Sequence, residues 1–231
     1  MFGLNEAGKD WLEKIDADGV LKQQYTCVAG KALENSANAS YNPIYFKKDK
    51  YELLEWGTKW LSDTPDYISK YPDAKHYKGF TYVILKDKAT GTEFMYINVH
   101  LDGSNDSDAH SALREVRKKQ AEILKQFISR YPSIPIVVGG DFNEGPSSAV
   151  ITGMSKDMRT KYCANVAKKK ELLNTTDVND AYSAIGSATF DYIFVTGDLI
   201  SVQFYQEWDN QINGKYPSDH LPVYAELTVY Y

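Results

Sequence analysis

The chain has 231 residues, 43% of them hydrophobic, with 26 Lys and Arg against 31 Asp and Glu and a formal net charge of -5. That is enough apolar chain for one domain with a proper core, without the broad basic footprint of a protein that lives on nucleic acid. No run of roughly 18 apolar residues is present, so no transmembrane helix or membrane insertion is expected.

The first predicted element is helical, with Trp11, Leu12 and Ile15 in a stripe just after Glu6. Strands are expected at 25–29, 43–47 and 51–56. Residues 62–78 are polar, contain two prolines and read as a long loop. Strands 80–87 and 92–101 flank the turn Lys88-Ala89-Thr90-Gly91. Asp108 is placed to cap a long helix. Its stripe is Leu113, Val116, Gln120, Leu124, Phe127 and Tyr131, and it ends at Pro132. Ile134-Pro135-Ile136-Val137-Val138 has the β-branched composition of a buried strand. A helix over 147–157 follows, then a polar segment ending at Asp180-Ala181-Tyr182. Strands at 189–195, 200–207 and 223–229 close the chain. Hairpins mixed with long helices argue for a layered α/β fold with much antiparallel sheet. There is no internal repeat or linker, so residues 1–231 form a single domain. Cys27 and Cys163 lack metal-ligand spacing and read as free thiols.

Four polar elements interrupt this apolar frame. Tyr216-Pro217-Ser218-Asp219-His220-Leu221-Pro222-Val223 sets an acid beside a histidine, between prolines that make an irregular turn. A regular strand would send the two side chains to opposite faces, whereas a turn can aim both at one place. Gly139-Gly140-Asp141-Phe142-Asn143 follows the carboxyl end of a strand, where α/β sheets place ligands. Asp141 and Asn143 can share one side while Phe142 packs on the other. Asp191, inside Thr189-Phe190-Asp191-Tyr192-Ile193-Phe194-Val195, is a carboxylate in an apolar strand and needs a partner. Orienting a histidine is one such job. Tyr96-Ile97-Asn98-Val99-His100-Leu101-Asp102 is again a strand with a polar end.

In this order the four elements resemble the endonuclease/exonuclease/phosphatase superfamily, the metal-dependent DNase I-like hydrolases. Leu4-Asn5-Glu6 is similar to the family's metal-site segment, and Asn98-Val99-His100-Leu101 to its histidine strand. Gly140-Asp141-Phe142-Asn143, Asp191-Tyr192-Ile193 and Ser218-Asp219-His220-Leu221-Pro222-Val223 match as they stand. The segments Tyr41 to Phe46 and Gly57 to Asp66 look like connecting segments of bacterial members. The resemblance implies a four-layer sandwich of two packed mixed β-sheets flanked by helices. It also implies hydrolysis of a phosphate ester by water, with Mg²⁺ or Mn²⁺ as cofactor. Glu6 would hold the metal with Asp219, and Asp141 would orient or deprotonate the water. Asn143 and His100 would hydrogen-bond the phosphate. His220, oriented by Asp191, would move a proton or stabilise the oxyanion.

Two departures from the family pattern stand out. The family opens with a strand ending in a metal-site asparagine, then a helix, before the glutamate segment. Here Glu6 is the sixth residue, so an N-terminally truncated domain with a gap in one sheet is expected. Where relatives place a glutamate that pairs with the family histidine, this chain has Ser40.

The substrate reads as a phosphate ester, nucleic acid included, since a metal can offset an acidic balance. The rival is a non-catalytic binding module that keeps the fold. A calcineurin-like phosphatase needs a Gly-Asn-His element, which this chain lacks. A monomer is the first expectation, and localisation is left open between cytoplasm and export.

Overall fold

The computed structural model of the chain describes residues 1–37, 39–156, 160–172 and 188–230. Its strands are β1 (Phe2–Gly3), β2 (Ala7–Gly8), β3 (Tyr25–Val28), β4 (Ser40–Tyr41), β5 (Ile44–Lys47), β6 (Tyr51–Trp60) and β7 (Gly79–Asp87). They continue with β8 (Glu93–His100), β9 (Ile136–Asp141), β10 (Thr160–Tyr162), β11 (Lys169–Glu171), β12 (Asp191–Thr196), β13 (Ile200–Glu207) and β14 (Val223–Val229). The helices are α1 (Lys9–Ala17), α2 (Gly19–Gln24), α3 (Ser107–Ala112), α4 (Arg114–Ser129), α5 (Ala149–Lys156) and α6 (Cys163–Val166).

The centre is a six-stranded sheet in the order β10-β12-β9-β8-β7-β6. It is mixed: β8 and β9 run parallel and the other pairs are antiparallel. Strand alternation divides its residues cleanly. Met95, Ile97, Val99 and Leu101 join Leu124, Phe127 and Ile128 of α4 in the main core. Phe94, from the other face of β8, packs with Val28, Ile44 and Phe46 of β3 and β5. Val202 and Tyr205 of β13 and Ala225 and Leu227 of β14 complete the packing against the central sheet.

The layers are thus α4 and α5 over one face of a central mixed sheet, further strands over the other, and α1 and α2 beside those strands. Packed mixed sheets flanked by helices are the fold class that the resemblance implied, and the second strand layer is divided. It consists of two three-stranded sheets, β1-β5-β3 and β11-β13-β14. Among the described residues, β1 and β14 each have a strand partner on one side only. Phe2, Gly3, Ala225 and Leu227 from these two strands line one cleft over the central sheet.

Several boundaries move for identifiable reasons. Asp106, not Asp108, caps α3, accepting from Ala109 N at 2.8 Å. Leu113 then separates α3 from α4. Strand β6 continues through Gly57 to Trp60, because pairing with β7 holds it for its full length. Gly57 allows the Tyr82 ring to lie against the backbone; an added Cβ would come within 2.7 Å of it. The polar segment expected after α5 contains β10, α6 and β11, and its end at Asp180-Ala181-Tyr182 lies outside the described residues. No helix among the described residues is long and apolar enough to cross a membrane.

One buried ion pair ties α4 to the central sheet. Arg117 is fully buried and its Nε donates to Glu144 Oε1 at 2.7 Å. Its other nitrogens donate to the carbonyls of Asp102 (3.2 Å) and His110 (2.9 Å). The carbonyl of Glu144 in turn accepts the Tyr192 hydroxyl at 2.8 Å. Arg117→Met is expected to leave the Glu144 carboxylate without its cation and to cost about 3–5 kcal/mol in urea unfolding. Adding Glu144→Leu is expected to recover most of that loss; no recovery would show that the pair is not the source of the cost.

Candidate active site

The cleft, about 1570 Å³, opens between the two three-stranded sheets and above the central one. Its floor carries a row of three side chains fixed by strand register. His100 ends β8 and is the register partner of Asp141 at the end of β9. Asp141 is in turn the partner of Asp191 at the start of β12. Register partners on one sheet point to the same face, so residues 91 positions apart in sequence are forced side by side. His100 Nε2 lies 3.3 Å from Asp141 Oδ2. The row is continued from outside the sheet by His220, whose Nδ1 lies 2.8 Å from Asp191 Oδ2. Facing a carboxylate, that nitrogen carries the proton and donates. The ligand atoms of Asp141, Asp191 and His220 all lie within 4.8 Å of one another.

The backbone makes this crowding possible. Gly140 has φ +141, and a Cβ there would sit 1.9 Å from the Val99 carbonyl oxygen. Only glycine fits so close an approach. Past Asp141 the chain turns sharply, with Asn143 at φ 52. Asp141 stabilises this turn by accepting from Asn143 N at 2.7 Å and from Asn143 Nδ2 at 3.1 Å. Asn143 Nδ2 also donates to the Leu101 carbonyl at 3.0 Å, tying the two strand ends together.

Glu6 reaches the same site from the first segment of the chain. Asn98 holds that segment down, donating to the carbonyls of Leu4 (2.7 Å) and Pro43 (3.0 Å). Asn5 bonds back to the Val99 carbonyl at 3.0 Å. Glu6 Oε1 then stands 3.7 Å from His100 Nε2 and 3.5 Å from Lys78 Nζ, with its side chain 71% exposed. Asp219 is exposed and lines the cleft beside His220, its Oδ1 3.3 Å from Ser218 Oγ. Ser40 also lines the cleft, while the ring of His100 is met by Lys78 and Asp141.

Lys78 is a residue that sequence reasoning missed. It is buried at the foot of β7, with Nζ 2.7 Å from His100 Nε2. It was one lysine at the end of a polar loop, and no motif marked it. His100 Nε2 can accept from Lys78 or donate to Asp141, but not both at once.

The site's groups are tuned apart. Burial would lower His220, but the hydrogen bond and charge of Asp191, with Asp141 and Asp219 behind it, raise it from 6.5 to about 9. Burial would raise Asp141, but His100, the charge on His220 and the Asn143 amide hold its carboxyl below the usual range. Burial and the charge of Lys78 push His100 down. Burial pushes Lys78 down too, against Glu6, Asp141 and Asp102. Partial exclusion of water raises Glu6, but His100 and Lys78 outweigh it and hold its carboxyl low. At neutral pH the floor thus presents a carboxylate beside an imidazolium.

The donor set suits a hard divalent cation, which takes carboxylate oxygens and water. Glu6, Asp141, Asp191 and Asp219 are among the carboxylates that line the cleft. Asp191 and Asp141 are engaged by His220, His100 and Asn143. Glu6 and Asp219 carry the most accessible oxygens.

Solved structures share this architecture. An endonuclease/exonuclease/phosphatase family protein from Bacteroides thetaiotaomicron is 23% identical with a TM-score of 0.84, covering 98% of this chain and 82% of its own. One from Bacteroides vulgatus is 26% identical with a TM-score of 0.84, covering 98% of this chain and 84% of its own. A mannosyl-6-phosphatase from Bacteroides thetaiotaomicron VPI-5482 gives 23% and 0.81, covering 98% and 84%. Among curated sequence relatives, the CCR4-Not complex 3'-5'-exoribonuclease subunit Ccr4 of Aspergillus niger is 23% identical over 252 residues, 80% of this chain and 37% of that protein. The chain spans less than half the length of the curated relatives it matches. Residues 2–220 match the family that these folds share, and the chain belongs to the Endonuclease/Exonuclease/phosphatase family.

Proposed function

We propose that this protein hydrolyses phosphate esters by in-line attack of water, with Mg²⁺ or Mn²⁺ bound through Glu6 and Asp219. The observation that carries the reading is the convergence of Asp141, Asp191 and His220, whose ligand atoms lie within 4.8 Å of one another, in surroundings that hold the Asp141 carboxyl low and raise His220 to about 9. Two neighbouring groups driven to opposite protonation states are the usual sign of an acid and base assignment. Relatives in the family support it: one is a mannosyl-6-phosphatase and others are exoribonuclease subunits. A bound divalent cation would neutralise phosphoryl oxygens and the leaving oxygen.

The protein's own groups do the rest. Asp141, fixed by the Asn143 amide, orients the attacking water and accepts its proton. His100 hydrogen-bonds a phosphoryl oxygen, and the Asn143 amide joins it by releasing one of its two partners, Asp141 or the Leu101 carbonyl. His220 presents Nε2–H to the developing charge, because Asp191 occupies Nδ1 and keeps the ring protonated. Lys78 adds positive charge to the wall shared by His100 and Glu6. The first test is an activity panel of plasmid DNA, bis-p-nitrophenyl phosphate, inositol phosphates and sphingomyelin, with Mg²⁺, with Mn²⁺ and with chelator. Chelator-sensitive turnover of at least one is expected. Turnover of none would leave a binding module as the better reading.

His220→Ala is expected to lower kcat roughly 10²-fold or more, the scale for losing a proton-transfer group, with a smaller change in KM. Near-normal kcat would remove His220 from the mechanism.

Activity is expected to need His220 protonated, so the alkaline limb of the rate profile should fall near pH 9. Asp191→Asn removes the group that raises His220, and the limb should move down toward 6.5. A limb that stays in place would separate Asp191 from the tuning of His220. The same pair links to stability: its contribution is whole below 6.5 and is lost as pH rises through about 9.

A further inference from the structure

The cleft holds a second histidine–carboxylate pair that the mechanism above does not use. His76 Nδ1 lies 2.8 Å from Asp102 Oδ1, matching the 2.8 Å contact of His220 with Asp191. Asp102 is completely buried, whereas the His76 side chain is 48% exposed and lines the cleft.

The buried carboxylate is held mainly by backbone. Lys75 N and His76 N donate to Asp102 Oδ2 at 2.7 and 3.2 Å, and Gly103 N donates to Oδ1 at 3.1 Å. The amide of Asp102 donates to Gln120 Oε1 at 2.9 Å, and its carbonyl accepts from Arg117. A buried charge needs such partners, and the amides supply them without the imidazole. The ring is therefore not required to satisfy Asp102. Asp102 fixes the ring instead, committing one nitrogen and leaving the other toward the cleft.

The pair adjoins the reactive centre. Gly103 packs so closely on Asn143 that an added Cβ would lie 2.3 Å from its Oδ1. Lys78, two residues after His76, reaches both His100 and Glu6. Lys75 Nζ donates to Ser104 Oγ at 2.9 Å, which sets a second cation on the same rim. In a cleft otherwise rich in carboxylates, Lys75, His76 and Ser104 form a local group of donors. Donors of this kind recognise an oxyanion through charge-assisted hydrogen bonds.

We propose that His76, oriented by Asp102, and Lys75 form a second anion subsite, which takes a phosphate group of the substrate other than the one being hydrolysed. This rests on the phosphate-ester reading above and narrows it to substrates that carry two phosphates within one cleft's reach.

The test compares thymidine 5′-(p-nitrophenyl phosphate) with the same compound carrying a 3′-phosphate. Wild-type protein is expected to prefer the 3′-phosphorylated compound by about 10-fold in kcat/KM, the scale of one charge-assisted hydrogen bond. His76→Ala and Lys75→Ala should each reduce that ratio, and together bring it to about 1. Damage to the fold would lower both rates and leave the ratio alone. No preference in the wild type, or a preference that survives both substitutions, would overturn the subsite. If neither compound is turned over, the hydrolase reading fails on this pair and the subsite is read by binding. Inorganic pyrophosphate should then shift the NMR signals of the His76 imidazole, and Lys75→Ala should abolish the shift. An unmoved His76 signal would overturn the subsite independently of any activity.

Discussion

Register between three neighbouring strands is the constraint on which the site depends. His100, Asp141 and Asp191 come from distant parts of the chain, yet each faces the next as a ladder partner. A slip of one residue in either pairing would turn a member of the row to the opposite face. On β8 the apolar side chains of one parity resist this. Met95, Ile97 and Val99 on β8, Val138 on β9 and Phe194 on β12 must all meet the main core together. The chemistry of the floor is thus held in place by packing beneath it.

Strand geometry alone does not supply a working arrangement, because the outer groups lie on irregular backbone. Glu6 and Asn143 both have positive φ, at 55 and 52. Such conformations cost energy in non-glycine residues and persist only where surroundings impose them. Asn98 and Asn5 impose the first by bonding the opening segment to β8. Asp141 imposes the second by capturing the Asn143 amide. The carboxylate that would handle the water therefore also shapes the loop that would bind the phosphate.

The regular part of this design was legible in the sequence. Alternation at 200–207 and 223–229 coincides with β13 and β14, and the turn at 88–91 joins β7 to β8. The row was legible because its members are polar residues ending apolar runs, where burial demands a partner. Contacts between distant segments were not. The division of the second strand layer depends on which strands find each other, and a two-residue strand such as β1 has no periodicity to read. Arg117 sits next to Val116 on α4 and looks like a surface arginine until Glu144 is brought beneath it. Lys78 has the same problem: its role comes from depth, and depth is not written in a polar loop.

The two halves of the polar row belong to parts of the molecule with different resistance to opening. His100 and Asp141 are ends of central strands paired on both sides, so exposing them means disrupting the main core. His220 sits in a turn between β13 and β14, with Leu221 and Tyr216 forming a small cluster apart from that core. Small satellite clusters open locally at lower free energy than the global transition. Mild heat or denaturant should therefore separate imidazole from carboxylate while the central sheet still protects its amides from exchange. Loss of function and loss of fold would then be two events, with inactivation first and reversible on cooling.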